Sequence, residues 1–229
     1  MKKNKTIIFS LGGSIVVLDE IDVKFLKVIK KFILNLLGRG YRLVIIIGGG
    51  GLNRKYNKVA KALAKISDID LDWLGIAATK LNSELVRVIF SKYAYPQVID
   101  DPSKLKNIGK YKLILASGWK PGCSTDKDAV LWAKKLGTRE IINLTNIDKA
   151  YTADPRQDKN ARPLDRVSWR DYRQIVGSKW SPRLSTPFDP IASKLAQKYG
   201  LRVAILNGRK LHNLKNYLAG KKFIGTVIE

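Results

Sequence analysis

An α/β fold, with a mostly parallel sheet covered by helices on both faces, is what this sequence predicts. Three observations carry the expectation. Short, nearly continuous apolar runs recur along the chain, as in strands buried on both faces. Stretches with apolar residues at helical spacing lie between them. The residues that follow the strands are Gly, Ser, Thr, Asn and Asp, at the edge where open α/β sheets bind ligands.

The elements follow in order. TIIFSL, Thr6 to Leu11, is the first strand and stops at Gly12-Gly13. Val23, Leu26, Ile29, Ile33, Leu36 and Leu37 then repeat at helical spacing, with Asp22 as N-cap and Gly38 or Gly40 as the stop. RLVIII, Arg42 to Ile47, is the second strand and runs into four glycines, Gly48 to Gly51. Leu52 to Ile66 and Trp73 to Phe90 read as helices, the second with Leu74, Ala77, Ala78, Leu81, Leu85 and Val88 as its apolar face. YKLILA is a strand, Ala129 to Leu136 a helix, and REIINLT a strand. SKLAQKYG ends a helix, LRVAILN is a strand, and GTVIE closes as a short one. Asp154 to Asp189, rich in Pro, Arg, Asp and Ser, is the least regular stretch and reads as a loop, a lid or the opening of a second lobe. No linker separates two foldable parts, so residues 1–229 are expected to form one domain.

Composition narrows the class. An apolar content of 45% argues against disorder, and no apolar run reaches the ~18 residues of a membrane span. The start, MKKNKTIIFSLGG, has an apolar stretch too short for a signal peptide. The single cysteine, Cys123, rules out an intramolecular disulfide and fits a reducing cytoplasm. Lys and Arg total 43 against 19 Asp and Glu, a net charge of +24 that attracts nucleotides and permits nonspecific nucleic-acid binding. The basic residues are spread over nearly every segment, which equally suits a solvated basic surface.

The strand ends carry the chemistry. Gly12-Gly13 and Gly48 to Gly51 allow close backbone approach and amide contacts to phosphate, or simply tight strand-to-helix turns. Arg54 stands where a guanidinium could fork onto a phosphate, though Lys55 and Lys58 beside it suit a solvated helix face. Asn53 and Arg54 replace the Lys and Ser of a Walker loop, which excludes that motif. In PGCSTDKDA, Ser124, Thr125 and Asp126 read either as a helix cap or as an acid organising a transferring phosphoryl group, with Asp128 as a rival. TNIDKAYTADP reads as a turn in which Tyr151 could stack on a base and Asn146 and Asp154 could hydrogen-bond to it. Asp72 is a cap by default. One histidine, His212, and one cysteine leave no metal-ligand or nucleophile motif.

Taken together, LGGS, IIIGGGGLNRKY, DWLGIAATKLN, GWKPGCSTDKDA, TNIDKAYTADP and FDPIASKLA occur in an order that resembles the amino acid kinase superfamily and, within it, the archaeal-type UMP kinases. The resemblance runs from Thr6 to the end of the chain. It implies a three-layer αβα sandwich, with an acceptor half over about 1–140 and an ATP half over about 141–229. It further implies Mg2+-dependent transfer of a phosphoryl group from ATP to UMP in pyrimidine biosynthesis, by a cytoplasmic homohexamer built as a trimer of dimers.

By position, Gly13, Ser14, Gly50 and Arg54 would face ATP phosphates, and Thr145, Asn146, Tyr151 and Asp154 its nucleoside. Gly49 would meet UMP, Asp72 its ribose, and Trp119, Lys120, Pro121, Gly122, Cys123, Ser124 and Thr125 its uracil side. Asp126, Lys194 and Arg54 would be catalytic, with no protein ligand set for a metal. The chain departs from the pattern at Ser10, where many relatives have lysine, at Lys149, where glycine is usual, and at Lys127 and Asp128, where small apolar residues are favoured. A kinase of another phosphorylated acceptor, such as isopentenyl phosphate, and a non-catalytic nucleotide-binding paralogue are the alternatives.

Overall fold

The computed structural model describes residues 5–105, 107–177 and 186–229. Seven strands form one sheet: β1 (Thr6–Leu11), β2 (Arg42–Ile47), β3 (Leu113–Ala116), β4 (Glu140–Thr145), β5 (Arg166–Val167), β6 (Arg202–Asn207) and β7 (Thr226–Ile228). Their order is β3-β2-β1-β4-β6-β7-β5, and every neighbouring pair is parallel except β6 with β7. The expected mostly parallel sheet is therefore present, with β4 at its centre and β1 beside it.

Alternation along the strands feeds two cores. One face, with Phe9, Ile45, Leu115 and Ile142, packs under α2 (Val23–Gly38), α4 (Asp68–Ile89) and α8 (Leu211–Leu218). The other, with Ile8, Ile46, Ile141 and Ile205, packs under α5 (Thr125–Leu136), α6 (Trp169–Val176) and α7 (Pro190–Lys198). The result is the three-layer arrangement. On this second face the register sets Ser10 beside Asn143, both buried near the carboxyl ends of β1 and β4.

Several boundaries differ from those expected, each for a local reason. The Asp22 cap is present: its carboxylate accepts from the Phe25 N–H at 2.9 Å. α3 (Gly50–Leu63) starts within the glycine run and ends before Ile66. α4 starts at Asp68, because Ser67 caps it by accepting from the Asp70 N–H at 3.1 Å. Asp72 is thus inside the helix rather than a cap.

The face of α4 is also rotated from the one its apolar residues suggested. Thr79, Asn82, Ser83 and Val86 are buried, while Leu81 and Val88 are 60% and 55% exposed. Asp154 to Asp189 contains β5 and the unforeseen α6, whose cap Ser168 accepts from the Asp171 N–H. Residues 178–185 of that stretch lie outside the described residues.

After β1 the chain turns into the short α1 (Gly13–Val16), and α3 passes close behind it. A Cβ on Gly51 would lie 1.7 Å from the Leu18 carbonyl oxygen. Gly38, at the end of α2, has nothing within 4 Å of a built Cβ. Gly51→Ala should therefore lower stability by roughly 2–4 kcal/mol, whereas Gly38→Ala should be neutral or gain up to about 1 kcal/mol. Urea midpoints of the two variants against the parent check this, and equal midpoints would refute it.

Candidate active site at the carboxyl edge of the sheet

The two glycine turns touch through their backbones. A Cβ on Gly13 would lie 2.2 Å from the Gly50 nitrogen and 2.3 Å from the Gly48 oxygen. Gly13, Gly48, Gly50 and Gly51 are therefore glycine because chain packs on chain. Tight packing of one turn on the other, and of Gly51 on Leu18, thus accounts for glycine at these four positions. Gly50 also adopts φ +58°. Gly49 differs, because it borders an open cleft. Asn82 on α4 fastens the turn, its side-chain amide donating to the carbonyls of Gly48 at 2.9 Å and Gly49 at 3.1 Å.

The cleft has a volume of about 260 Å³. One wall is Gly49 and Asn53, with Asp72, Ile76 and Thr79 of α4 beside them. The opposite wall is Lys120 and the start of α5, from Cys123 to Asp126. Thr186 and Asp189 complete it. Thr79 accepts from the Gly118 N–H at 2.9 Å, and Asp72 accepts from the Gly122 N–H at 2.9 Å, so α4 anchors both ends of the turn after β3.

Carboxylates gather at the α5 side. Ser124, not Asp126, is the α5 cap, accepting from the Lys127 N–H at 3.1 Å. That frees Asp126 from capping: it accepts from the Ser10 hydroxyl at 3.1 Å and from the Asp189 N–H at 3.3 Å. Burial, reinforced by the neighbouring Asp189, pushes the Asp126 carboxyl well above the ordinary carboxylate range. Asp189 caps α7, accepting from the N–H groups of Ile191 and Ala192 at 2.8 and 2.9 Å, and also receives the Ser124 hydroxyl. Asn143 donates to the Pro187 carbonyl at 2.6 Å, and the buried Tyr172 hydroxyl of α6 accepts from the Phe188 N–H at 2.9 Å. These two contacts hold the chain just before Asp189. Asp128 is fully buried, and burial raises its carboxyl to about 7.

The structure thus brings Gly49, Asp72, Lys120, Cys123, Ser124, Thr125 and Asp126 to one cleft. Trp119 lies just outside it, with the Lys120 ammonium 4.1 Å from its ring centre, and Pro121 and Gly122 form the outer turn of the loop. Gly13 and Gly50 meet beneath the cleft, and Ser14 follows in α1. Arg54 is exposed and donates to the Leu18 carbonyl at 3.1 Å. Lys194 is exposed one turn into α7.

Thr145 and Asn146 follow β4, where the Thr145 carbonyl accepts from the Gly208 N–H at 2.8 Å. Tyr151 bridges to Pro163 in a hairpin-like excursion. Asp154 is paired with Arg156 at 2.7 Å, and that guanidinium lowers its carboxyl to about 2. Lys149 is paired with Asp165.

Sequence reasoning missed Ser10, Asn53, Thr79, Asn82, Asn143, Tyr172 and Thr186 as parts of the site. The signal for four of them was present. Ser10 and Asn143 are polar residues inside apolar strands, and Thr79 and Asn82 sit at helical spacing on α4.

A parallel α/β sheet whose strand ends gather two glycine turns, a loop over a small cleft and paired carboxylates defines a phosphate-compound site of the nucleotide-binding kind. The chain belongs to the amino acid kinase family, whose model matches residues 5–207. It is 33% identical over 225 residues to a uridylate kinase of Pyrococcus abyssi, covering 97% of this chain and 99% of that one. It is 30% identical over 214 residues to a uridylate kinase of Sulfurisphaera tokodaii, covering 92% and 94%. The crystal structure of uridylate kinase from Archaeoglobus fulgidus superposes with a TM-score of 0.81 at 31% identity, over 98% of this chain and 100% of that one.

Because Asp128 binds its proton more tightly in the folded protein than in the unfolded chain, that proton stabilises the fold. The contribution is complete below about pH 4 and is lost as pH rises through about 7. Relative to Asp128→Asn, the parent should lose on the order of 3–4 kcal/mol of unfolding free energy between those limits. Denaturant titrations of both proteins across this range check it, and parallel pH curves would refute it.

Proposed function

We propose that this chain is a UMP kinase that transfers the γ-phosphoryl group of ATP to UMP, giving UDP and ADP in pyrimidine nucleotide synthesis. The observation that carries the reading is the cleft of about 260 Å³ that ends at Asp126 and Asp189, in a chain whose relatives bear that name over nearly their whole length. UMP would lie in the cleft, its phosphate toward Gly49, its ribose near Asp72, and its uracil under Trp119 to Thr125. ATP would extend from Gly13, Ser14 and Gly50 toward Thr145, Asn146, Tyr151 and Asp154. Residues 1–140 then form the acceptor half and 141–229 the donor half of one domain.

Such transfer depends on alignment and charge neutralisation rather than on a protein nucleophile. Asp126, kept protonated by burial, would not repel the incoming phosphates and could donate a hydrogen bond to the group in flight. Lys194 and Arg54 are long cations on the two helices that start at the site, α7 and α3. Mg2+, when bound, neutralises charge on the phosphate oxygens. Among the described residues no group of three His, Cys, Asp or Glu could hold a metal ion, so the ion would be carried by the nucleotide phosphates.

The outward stripes of α3 and α4 suit a second copy of the chain. Tyr56, Val59 and Leu63 on α3, with Leu81 and Val88 on α4, are all more than half exposed. Pairing through them would build the dimers of a homohexamer. No described helix is long and apolar enough to cross a membrane, and the free Cys123 thiol suits the cytoplasm. The +24 charge supports weak, salt-sensitive nucleic-acid binding as well.

ADP release with Mg2+ and ATP should be fast with UMP and slow with CMP, dUMP, AMP and isopentenyl phosphate. Preference for another acceptor would replace the substrate, and silence across the panel in a folded protein would favour a binding paralogue. Asp126→Ala, which removes the donor, should lower kcat about 100-fold or more, Asp126→Asn, which keeps a neutral donor, should lower it less, and Ser124→Ala should cost about 1 kcal/mol of stability. Normal turnover of Asp126→Ala would remove it from the mechanism. Val59→Lys with Leu63→Lys should lower the sedimenting mass, and an unchanged mass would place the interface elsewhere.

A further inference from the structure

The carboxyl of Asp128 does not border the cleft, yet it lies against the loop that does. One oxygen, Oδ1, accepts from the Cys123 Sγ–H at 3.1 Å, and the backbone N–H of Trp119 also faces the group. These contacts reach both ends of the turn from Trp119 to Cys123. Among the described residues, the other oxygen, Oδ2, has no hydrogen-bond partner, and neither has Trp132 Nε1 one helical turn further on. Both atoms are buried. The space under the loop is therefore polar and under-satisfied, and water reaching it on loop opening would gain partners at once.

We propose that Asp128 is a positioning residue for the acceptor: the loop from Trp119 to Ser124 closes over its carboxyl in the protonated form and is released when the carboxyl ionises. This rests on the acceptor being bound by that loop, as proposed above. The physical reason is desolvation. Closing the loop strips water from the group, which costs little for a neutral carboxyl and much for a carboxylate.

The charged groups that reach Asp128 are few. Lys127 favours the ionised form, and Asp189 at the start of α7 opposes it. Asp126 on the same helix and Asp128 raise one another's cost of ionising. The Cys123 thiol, itself held far above its ordinary range by burial first and Asp128 next, remains a hydrogen-bond donor throughout. β1, β2 and β4, beneath α5, carry titratable side chains only at their first residues, Arg42 and Glu140, at the far end of the sheet, while α7 and the turn Pro102–Lys104, which also pack on α5, add Lys194, Lys198 and the Asp100-bound Lys104, all exposed.

Hydrogen exchange of the Trp119, Lys120, Gly122, Cys123 and Ser124 amides in the substrate-free protein, corrected for intrinsic rates, tests the coupling without turnover. Protection should fall at least about fivefold between about pH 6 and about pH 8.5 in the parent, and stay level in Asp128→Asn. The same fall in both would overturn the proposal. With UMP as acceptor, KM should rise over that range in the parent relative to the variant, with a smaller effect on kcat. The titration of the UMP phosphate is common to both proteins and cancels. Superimposed KM profiles would overturn the proposal.

If Asp128→Asn does not fold, Cys123→Ala decides. Loss of a donor to the ionised form should move the parent's midpoint upward, and an unmoved midpoint would count against the coupling. A pH-dependent loop in a protein without UMP turnover would overturn the kinase reading alone.

Discussion

The backbone of Gly13 lies against the backbone of Gly48 and Gly50, and the rest of the site depends on that contact. No residue with a Cβ fits at Gly13, and the cost of forcing one in would fall on two turns at once. Because β1 and β2 are adjacent and parallel, their carboxyl ends leave the sheet side by side. The glycines let both chains turn in the space of one. α1 and α3 therefore begin together, and Gly49 is left bordering the cleft. A glycine run usually prompts the question of what ligand approaches it. Here the first thing that approaches is the other turn.

Opposite the glycines, the site is organised by acids in a chain that is strongly basic elsewhere. Asp126, Asp128 and Asp189 are drawn together by α5 and α7, and each is held by neutral donors, among them Ser10, Ser124 and Cys123. Neutral partners leave the burial cost largely unpaid, which is why Asp126 and Asp128 keep their protons to higher pH than exposed acids. A lysine in place of Ser10 would have reversed that logic for Asp126. At the phosphoryl-transfer site proposed above, Asp126 and Asp128 would therefore add little negative charge to a group already carrying several. Cations and backbone amides can then dominate the local field.

The strands and the sheet class were legible because apolar runs of four to six residues, bounded by glycine or polar turns, have few other readings. The helix starts were less so, since Ser67, Ser124 and Ser168 cap α4, α5 and α6 at residues that also occur in loops. α6 was hidden in a stretch dominated by Arg, Pro and Asp. Its S-x-x-D cap was the one available signal. The cleft side of the site was readable through its motifs, because Cys123, Thr125 and Asp126 sit at the start of a helix, while Asp72 lies a turn inside α4. What supports them was not, since Tyr172 and Asn143 act on Asp189 through backbone atoms that no sequence spacing reveals.

α4 departs furthest from its sequence pattern, because its apolar residues do not mark the face that the interior needs. Thr79, Asn82 and Ser83 point inward, and each finds a partner on a strand end or its turn: Gly118, the carbonyls of Gly48 and Gly49, and the Ala116 carbonyl. An alanine at Asn82 would strand the Gly48 carbonyl and leave that of Gly49 with the Asn53 N–H alone, a penalty larger than the modest gain from the hydrogen bonds themselves. The interior therefore demands polar residues along the very stripe where a helix covering a sheet normally places Leu and Ile. Leu81 and Val88 are displaced to the outer surface, beside the apolar stripe of α3. A single copy of the chain gains little from them there. The same helix that walls the cleft is thus the one with unused apolar area on its outer face.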